Sequence, residues 1–293
     1  MSRRAARIKV ITSATLWGSS FPIIRIGLMY ISPILFLFLR FSVAAVMLLL
    51  ILYIINVKLS LHKVNGLIII SGIFNATAYA FQFVGQKFTY ATNAALMVNT
   101  SPIFTAIFAH FLLKEKLTKP RVGAIALTFF GVSIVTLCSG QVLEFRMVGD
   151  VLCLLAGISW GLYMTLAKKI RGDSRFDELE LLFIWFLYTA ALGGIVLPFE
   201  GLRITINVWS LFAILYTAVM CSIIPYMLWY KALKSLEATS SANYFMLEII
   251  ISAIIEAMFL GLSFSVSLIV GAALVVAGVY LVDYFYRTEK ALV

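Results

Sequence analysis

The chain alternates long apolar segments with short polar connections, and it does so ten times along its 293 residues. The apolar segments cover residues 8–29, 34–56, 65–87, 91–113, 121–139, 149–168, 179–199, 207–230, 238–262 and 267–286. As an α-helix, a segment of about 20 residues crosses the roughly 30 Å of a bilayer's hydrocarbon core. The strands of a membrane β-barrel would instead alternate apolar and polar positions over about 10 residues. The pattern therefore predicts an all-α polytopic membrane protein with ten transmembrane helices.

One part of the chain occurs twice. Residues 91–123 return in changed form at 238–271, and the alignment extends backwards at a constant offset of 147 positions to place Tyr79 on Tyr226. Five helices per copy is an odd number, so the two copies must cross the membrane in opposite directions. Inverted repeats of this kind are typical of secondary transporters, whose substrate site lies between the repeats near the midplane.

The repeat also sets the predicted domain boundaries. Residues 1–139 form the first repeat with helices 1 to 5, residues 140–149 form a linker, and residues 150–293 form the second repeat with helices 6 to 10. Trp17 aligns with Trp160 at a slightly shorter offset of 143 positions. The two tryptophans are therefore equivalent, and both lie near mid-depth.

Composition excludes a water-soluble domain. Hydrophobic residues make up 62% of the chain and charged residues 12%, and the mean hydropathy is +1.03. A globular surface needs far more charge than this. The net charge of +10 comes from short connections beside the membrane, and no basic stretch is interleaved with aromatic residues, so no nucleic-acid partner is expected.

The distribution of Lys and Arg predicts the orientation. Eighteen of the 23 lie in connections on the side of the N-terminus, and three (Lys87, Arg146 and Arg203) lie in connections on the other side. By the positive-inside rule, both termini are predicted to be cytoplasmic in a multi-pass protein of the cytoplasmic membrane. The first apolar run lacks an A-x-A cleavage site and is interpreted as a span, not a signal peptide.

Metal and redox chemistry have no support in the sequence. Cys138, Cys153 and Cys221 lie in apolar segments at unrelated spacings, which indicates packing and not a disulfide framework. His62 and His110 have no metal-ligand neighbour at a useful spacing. Neither a metal nor a cofactor is expected.

Several short motifs resemble the EamA family of the drug/metabolite transporter superfamily. They are Trp17-Gly18-Ser19-Ser20-Phe21, Asn99-x-x-Pro102, Glu115-Lys116-Leu117, the helix from Gly123 to Gly131, Trp160-Gly161, Tyr230-x-Ala232-Leu233, Leu247-Glu248 and Gly271-Ala272-Ala273-Leu274. The resemblance implies a ten-helix carrier with a central cavity lined by helices 1, 3, 4, 6, 8 and 9, while helices 5 and 10 are peripheral. Members of the family export amino acids or other small metabolites.

The sequence departs from the family pattern in two places. Ile249 follows Glu248 where the family has proline, which leaves open whether helix 9 is broken. The turn after helix 9 reads Gly261-Leu262-Ser263-Phe264 and so lacks the family's acidic residue.

Glu248 is the most informative single residue. It lies about 10 residues into helix 9, which puts its carboxyl group about 15 Å deep, near the midplane. An ionisable group there costs a few kcal/mol and is by default a functional candidate. It could bind a substrate ammonium group or carry a proton. The structural alternative is a protonated or paired glutamate that holds helices together.

Other ionisable residues suggest gating. Glu256 lies about 12 Å nearer the outer surface than Glu248, and Arg40 of helix 2 is its possible partner in a structural or gating ion pair. Arg25 lies near the outer end of helix 1. There it either extends its charged end to the interface or recognises a substrate carboxylate.

Amides and aromatic rings complete the predicted substrate site. Asn99 is a candidate cavity residue, as are Asn75 and Gln82, although buried amides also bond between helices. The aromatic residues on cavity-facing helices are Trp17, Tyr79, Phe83, Trp160, Tyr163, Tyr226, Tyr230 and Tyr244. Such rings also pack or line membrane interfaces. A cavity walled by them suits an amphipathic organic solute and can hold an ammonium group by cation–π contact.

Helix breakers predict where spans bend. Pro22, Pro102 and Pro225 predict kinks in helices 1, 4 and 8, either as hinges or as static kinks that shape packing. Gly157-x-x-x-Gly161, and Gly271 with Gly278, predict close helix packing.

Three functional classes compete. A secondary carrier that exports amino acids or related metabolites by alternating access is favoured by the repeat, by Glu248 and by the family resemblance. An intramembrane enzyme would need grouped Ser, His and Asp side chains, which the sequence lacks. The third class is a non-transporting scaffold or lipid-handling protein. The alternative to amino-acid export is a membrane protein without catalytic activity that translocates a non-amino-acid metabolite, a drug or a lipid. The expected partners are a small-molecule substrate and membrane lipid, with a coupling proton as a further candidate, and the sequence does not set the oligomeric state.

Overall fold

The computed structural model describes residues 2–57, 59–60, 64–89, 91–137, 146–172, 177–260 and 266–291. Within these residues the chain forms thirteen α-helices and no β-strand. They are α1 (Arg3–Tyr30), α2 (Pro33–Ile54), α3 (Gly66–Phe88), α4 (Ala91–Val98), α5 (Ser101–Leu113), α6 (Lys119–Leu137), α7 (Met147–Gly172), α8 (Glu178–Val196), α9 (Val208–Ala218), α10 (Ile224–Ala232), α11 (Ala238–Tyr244), α12 (Leu247–Leu260) and α13 (Val266–Ala291).

Polar side chains define several helix starts. Ser2, Asn65 and Asp177 each accept a hydrogen bond from a backbone N–H in the first turn of the helix that follows. Asn207 and Ser210 form a reciprocal capping box at the start of α9. These caps satisfy N–H groups that have no partner within the helix.

The helices assemble into the predicted number of spans. Nine segments of the described residues are long and apolar enough to cross a membrane, and three of them each combine two short helices: α4 with α5, α9 with α10 and α11 with α12. The more polar α1 is not among the nine, but its 28 residues reach about 42 Å at 1.5 Å per residue. With α1 as the tenth helix, the all-α fold of ten membrane helices in two repeats is confirmed.

Two spans are interrupted close to a proline. Asn99 forms a turn between α4 and α5, and Pro102 follows in the first turn of α5. In the eighth span, Val219–Ile223 form one π-helical turn immediately before α10, which carries Pro225. A proline removes one N–H and crowds the preceding turn, so interruptions at these places have a direct cause. At Pro22, by contrast, α1 continues without a break, and a kink there stays a prediction.

The ninth span is also interrupted, although no proline follows. Phe245 and Met246 form a turn between α11 and α12, and their N–H groups bond to carbonyls three residues earlier. The break that the sequence left open is therefore present. Because Met246 is equivalent to Asn99 in the other repeat, both repeats are broken at the same place.

The contacts between helices repeat with two-fold pseudo-symmetry. The contact of α3 with α7 corresponds to the contact of α9 and α10 with α1. The contact of α5 with α7 likewise corresponds to the contact of α12 with α1. α2 packs on α8, and α6 packs on α13 at the periphery. This arrangement brings the breaks in the fourth and ninth spans to the interface between the repeats.

Small residues allow the closest approaches. A Cβ atom at Gly271 would lie 2.9 Å from the Gly131 carbonyl oxygen, and one at Gly157 would lie 2.8 Å from the Met97 carbonyl oxygen. The prediction that these glycines are packing surfaces is confirmed. Residues 138–145 lie outside the described residues, and α7 begins at Met147, within the predicted linker 140–149. The division into residues 1–139 and 150–293 stays a prediction.

Candidate functional site

A cavity lies where the two repeats meet, next to the broken spans. The empty space between its lining residues is about 680 Å³, a volume that includes space open to solvent. It is lined by Trp17, Ser20, Ile24, Arg40, Tyr79, Gln82, Phe83, Val98, Asn99, Ser101, Pro102, Trp160, Met164, Phe245 and Glu248. Most of its wall is apolar, with a few polar groups, one basic side chain (Arg40) and one acidic side chain (Glu248), which is the usual composition of a small-molecule site.

The cavity occupies the middle of the bundle and the half away from the chain termini. Its lining residues on α1 and α3 lie in the C-terminal halves of those helices, and Arg40 lies in the first half of α2. Each of these half-helices is on the side opposite the N-terminus. The other half of the bundle is filled by large buried side chains, among them Trp185 and Trp229.

Glu248 reaches the cavity from the first turn of α12, directly after the break in the ninth span. The backbone here lies against Gly18 of α1, where a Cβ atom would be 2.6 Å from the Glu248 carbonyl oxygen. Among the described residues, no side chain forms an ion pair or a hydrogen bond with the Glu248 carboxyl group. Its position in the first turn of a helix favours a negative charge.

Arg40 is held by the interrupted eighth span. Its Nε donates to Ser222 Oγ at 2.9 Å, and its Nη2 donates to the Cys221 carbonyl oxygen at 2.9 Å. That carbonyl would normally accept from the N–H four residues later, but this residue is Pro225 and has none. Trp17 Nε1 donates to the same oxygen at 3.0 Å. The freed carbonyl thus fixes both a cavity charge and a cavity ring.

Asn99 lines the cavity at the break in the fourth span. Its Nδ2 donates to the Ala95 carbonyl oxygen at 2.7 Å, so the side chain bonds to its own helix where the regular pattern ends. This assignment leaves Oδ1 on the cavity side without a partner among the described residues. The side-chain oxygen is therefore available to a ligand.

The predicted aromatic residues divide into two layers. Trp17, Tyr79, Phe83 and Trp160 line the cavity. Tyr163 and Tyr226 are not among the lining residues and lie behind them, at 1% and 0% exposure. They support the lining rings from below: the Trp160 and Tyr163 ring centroids lie 5.8 Å apart, and those of Trp17 and Tyr226 lie 5.3 Å apart.

Two other predicted residues do not line the cavity, and the side chain of a third lies outside the described residues. Tyr244 is buried on α11 and does not line the cavity. Arg25 is exposed on α1 and is not among the lining residues. The side chain of Glu256 lies outside the described residues, so its pairing with Arg40 stays a prediction.

Some lining residues were missed by the sequence analysis. Phe245 belongs to the turn that breaks the ninth span, and its ring centroid lies 4.6 Å from that of Trp17. Met164 lies one helical turn after Trp160 on α7, so the spacing from Trp160 could have indicated it. Ser20, within the Trp17 motif, and Ser101, before Pro102, also line the cavity.

On the side of the chain termini, the connection between the eighth and ninth spans is tied to other helices. The Glu115 carboxylate accepts from the N–H groups of Ala238 and Thr239, at 2.7 and 3.1 Å, and from the Thr239 hydroxyl at 2.6 Å. Glu237 forms an ion pair with Arg121. The Lys168 ammonium group donates to the Leu236 carbonyl oxygen at 2.6 Å. We call these contacts the terminal-side latch.

An acidic residue joins the two ends of the chain on the same side. Asp283 of α13 pairs with Arg3 at 2.9 Å, with Arg7 at 2.5 Å and with Arg287 at 3.2 Å. The first and last helices are thereby held together beside the latch. Among the described residues no group of three His, Cys, Asp or Glu side chains is placed to hold a metal ion.

The EamA-like transporter family model matches residues 5–137 and again residues 147–283. The chain belongs to the EamA-like transporter family. As a multi-pass member of that family it is a membrane transporter, as are its relatives. The two separate matches agree with the internal repeat.

Relatives cover almost the whole chain. An uncharacterized transporter of Archaeoglobus fulgidus is 32% identical over 91% of this chain and 93% of its own length. A probable amino-acid metabolite efflux pump of Salmonella typhimurium is 27% identical over 99% of this chain and 98% of its own. A probable amino-acid metabolite efflux pump of Escherichia coli is 26% identical over 100% of this chain and 99% of its own length. A solved crystal structure at 18% identity covers 99% of this chain and 100% of its own with a TM-score of 0.85, so it shares the fold.

The structure gives an EamA-like motif a physical reason. In the Trp-Gly pairs at 17–18 and 160–161, each tryptophan lines the cavity. Each glycine lets its helix lie close to the helix that follows a break. Gly18 of α1 contacts Glu248 of α12, and a Cβ atom at Gly161 of α7 would lie 2.9 Å from the backbone nitrogen of Thr105 in α5. The pairs therefore join the cavity wall to the broken spans in both repeats.

Proposed function

We propose that this EamA-like transporter exports amino acids or related amphipathic metabolites across the cytoplasmic membrane by alternating access. The observation that carries the proposal is the cavity between the repeats. In it Glu248, Asn99 and five aromatic rings converge at the breaks in the fourth and ninth spans. Transporters place solute sites at such discontinuous helices near the midplane. The Salmonella and Escherichia relatives, which are described as probable amino-acid metabolite efflux pumps, support amino-acid metabolites as the cargo.

The proposed orientation puts both termini in the cytoplasm, as the distribution of Lys and Arg indicates. The cavity then faces the exterior, and the terminal-side latch closes the cytoplasmic side. In the other half of the cycle the latch opens and the outer halves of the spans close over the solute. The interrupted helices are the expected hinges, because each already lacks regular backbone hydrogen bonds.

Two roles are proposed for Glu248. It contacts the ammonium group of the solute, or it exchanges a proton during the cycle. Trp17 and Trp160 contribute ring faces, and Asn99 contributes a polar contact. Export by proton exchange predicts that an imposed pH gradient drives the flux, whereas simple exchange of solutes does not depend on it.

Counterflow in proteoliposomes tests the proposal. Vesicles loaded with an unlabelled amino acid are diluted into the same labelled compound, using aromatic, aliphatic and cationic members in turn. We expect the wild-type protein to accumulate label with at least one of them and the Glu248→Gln variant to lose most of it. Glu178→Gln is the matched control, since Glu178 lies at the start of α8 on the terminal side and not at the cavity.

The results separate the proposal from its alternatives. No counterflow by folded wild-type protein with any member of the panel would contradict amino-acid export and favour a non-amino-acid metabolite, a drug or a lipid. Counterflow that is equal in wild-type and Glu248→Gln protein, with the same pH dependence, would exclude both proposed roles of that residue.

A further inference from the structure

We infer that the cavity is built for a zwitterionic solute, whose carboxylate binds Arg40 and whose ammonium group binds Glu248. The inference rests on the proposed function, because it takes the cavity between the repeats as the solute site. It adds a residue that recognises the carboxylate, and a solute class in which both charges are present on one molecule.

The first observation is a buried cation without an acidic partner. Arg40 is 1% exposed and lines the cavity, yet it forms no ion pair with any described acidic residue. Its two hydrogen bonds use Nε and Nη2 and end on neutral acceptors. Among the described residues, its Nη1 donors have no partner. A cation at membrane depth that has no acidic partner among the described residues indicates a functional site.

The second observation is that the guanidinium is fixed in place. Ser222 Oγ, which itself donates to the Thr217 carbonyl oxygen at 3.0 Å, and the Cys221 carbonyl hold one edge of the plane. The ring of Tyr79 lies 5.4 Å from the guanidinium carbon. A guanidinium held along one edge presents its remaining donors in a fixed fork, which matches the two oxygens of a carboxylate.

The third observation is the position of Glu248 on the same wall. Trp17 shares the Cys221 carbonyl oxygen with Arg40, and the next residue, Gly18, contacts the backbone of Glu248. The basic side chain and the acidic side chain thus lie on either side of the Trp17–Gly18 pair. Neither is paired with the other or with another described residue.

Charge balance follows from this arrangement. A zwitterion neutralises Arg40 and Glu248 at the same time, and the loaded cavity carries no net charge. A solute with a carboxylate alone, or with an amine alone, leaves one protein charge buried without a partner. Leaving a buried charge uncompensated is costly, so the site is expected to discriminate strongly against both kinds of solute.

Equilibrium binding to the purified, full-length protein tests this inference with four related compounds. They are L-phenylalanine, L-phenylalaninamide, phenethylamine and 3-phenylpropionate, and a leucine series repeats the comparison if phenylalanine does not bind. We expect the amino acid to bind at least tenfold more tightly than each compound that lacks one charge. This comparison needs no variant and is independent of any folding defect.

Variants then assign the charges. Arg40→Gln is expected to weaken amino-acid binding at least tenfold and to leave phenethylamine binding unchanged, while Arg40→Lys restores part of the loss. Glu248→Gln is expected to weaken amino-acid binding and to leave 3-phenylpropionate binding unchanged. Arg25→Gln removes an exposed arginine away from the cavity and is the matched control.

Several results would overturn the inference. If L-phenylalaninamide binds as tightly as L-phenylalanine, Arg40 does not recognise the solute carboxylate. Arg40→Gln weakening all four compounds equally would make Arg40 a structural residue. Glu256→Gln reproducing the Arg40→Gln pattern would favour the Arg40–Glu256 ion pair. If folded wild-type protein binds no compound of either series, the proposed amino-acid function fails together with this inference, whereas binding without preference for the zwitterion overturns the inference alone.

Discussion

The hydroxyl groups of Tyr79 and Tyr226 are hydrogen-bonded to each other at 3.1 Å. These two tyrosines occupy equivalent positions in the two repeats. Their neighbours are equivalent too, since the Tyr79 ring packs on Trp160 and the Tyr226 ring packs on Trp17, at centroid distances of 4.8 and 5.3 Å. The pseudo-two-fold axis therefore passes between the two hydroxyl groups, just below the cavity.

The two tyrosines differ in their access to the cavity, and this difference leads to a first prediction. Tyr79 lines the cavity, whereas Tyr226 is fully buried and also bonds to Asn75 Oδ1 at 2.8 Å. Tyr226→Phe removes two hydrogen bonds and Tyr79→Phe removes one, and each bond between membrane helices contributes about 0.6 to 2 kcal/mol. We expect Tyr226→Phe to lower the thermal midpoint more than Tyr79→Phe does.

Thermal unfolding in detergent measures this difference, with binding affinity as the second readout. Tyr226→Phe is expected to change stability with little effect on affinity, because the residue does not reach the cavity. A larger stability loss from Tyr79→Phe would contradict the two-layer arrangement of the rings.

A second prediction concerns the approach of α1 to α12. A methyl group at Gly18 would meet the Glu248 carbonyl oxygen at 2.6 Å and the Ile251 Cβ atom at 2.8 Å. Since backbone has to shift to relieve these contacts, Gly18→Ala is expected to cost about 1 to 3 kcal/mol and to displace Glu248. We expect a lower thermal midpoint and a loss of solute binding.

The matched control is Gly123→Ala. Nothing lies within 4 Å of a Cβ atom at Gly123, which is also in a helix and exposed. Alanine is the better helix former by up to about 1 kcal/mol, so this variant is expected to keep or gain stability and to bind normally. Equal behaviour of the two alanine variants would mean that the close contact at Gly18 does not matter.

A third prediction concerns pH. Burial and the neighbouring Glu115 carboxylate raise the pKa of Glu237 from the usual 4.5 to about 7, although Arg121 opposes the shift. The folded protein therefore holds this proton to a higher pH than the unfolded chain does. The stability that this group contributes is complete below the unfolded value, is lost as pH rises through about 7 and is constant above that.

Thermal midpoints measured from pH 5 to pH 8 test this sign. Glu237→Gln resembles the protonated residue, so the variant is expected to lose part of the decline that the wild-type protein shows with rising pH. If the two proteins decline equally, Glu237 does not titrate in this range.

The fold was largely predictable because the bilayer imposes its thickness on every span. Length and hydropathy predicted the helices, and the repeat predicted that Trp17 and Trp160, and Tyr79 and Tyr226, would be related by symmetry. The break in the ninth span was not predictable in the same way. It occurs at Phe245 and Met246 without a proline, next to the place where Glu248 packs closely on Gly18 of α1.

The candidate site was predicted in part, for a similar reason. Polar residues at mid-depth, Glu248 and Asn99, line the cavity as expected, because such groups need a polar environment. The rotation of a helix about its axis is set by packing and not by depth, so Tyr163, Tyr226 and Tyr244 turned out to lie outside the lining. The partners of Arg40 depend on one π-helical turn, for which Pro225 was the available signal.

The most direct test of the account is whether the cavity is open to one side of the membrane at a time. Ser20 lines the cavity, and Leu236 lies in the terminal-side latch with 1% exposure. The measurement is the rate at which a polar maleimide labels S20C and L236C in the purified protein, corrected for labelling of the native cysteines. It is made with and without Glu115→Gln, which weakens the carboxylate cap on Ala238 and Thr239.

We predict fast labelling of S20C and slow labelling of L236C in the otherwise wild-type protein. Glu115→Gln is predicted to speed labelling of L236C at least tenfold and to slow labelling of S20C at the same time, because opening the latch closes the opposite side. Faster labelling of L236C with no change at S20C would mean that the two sides open independently, which contradicts alternating access through this cavity.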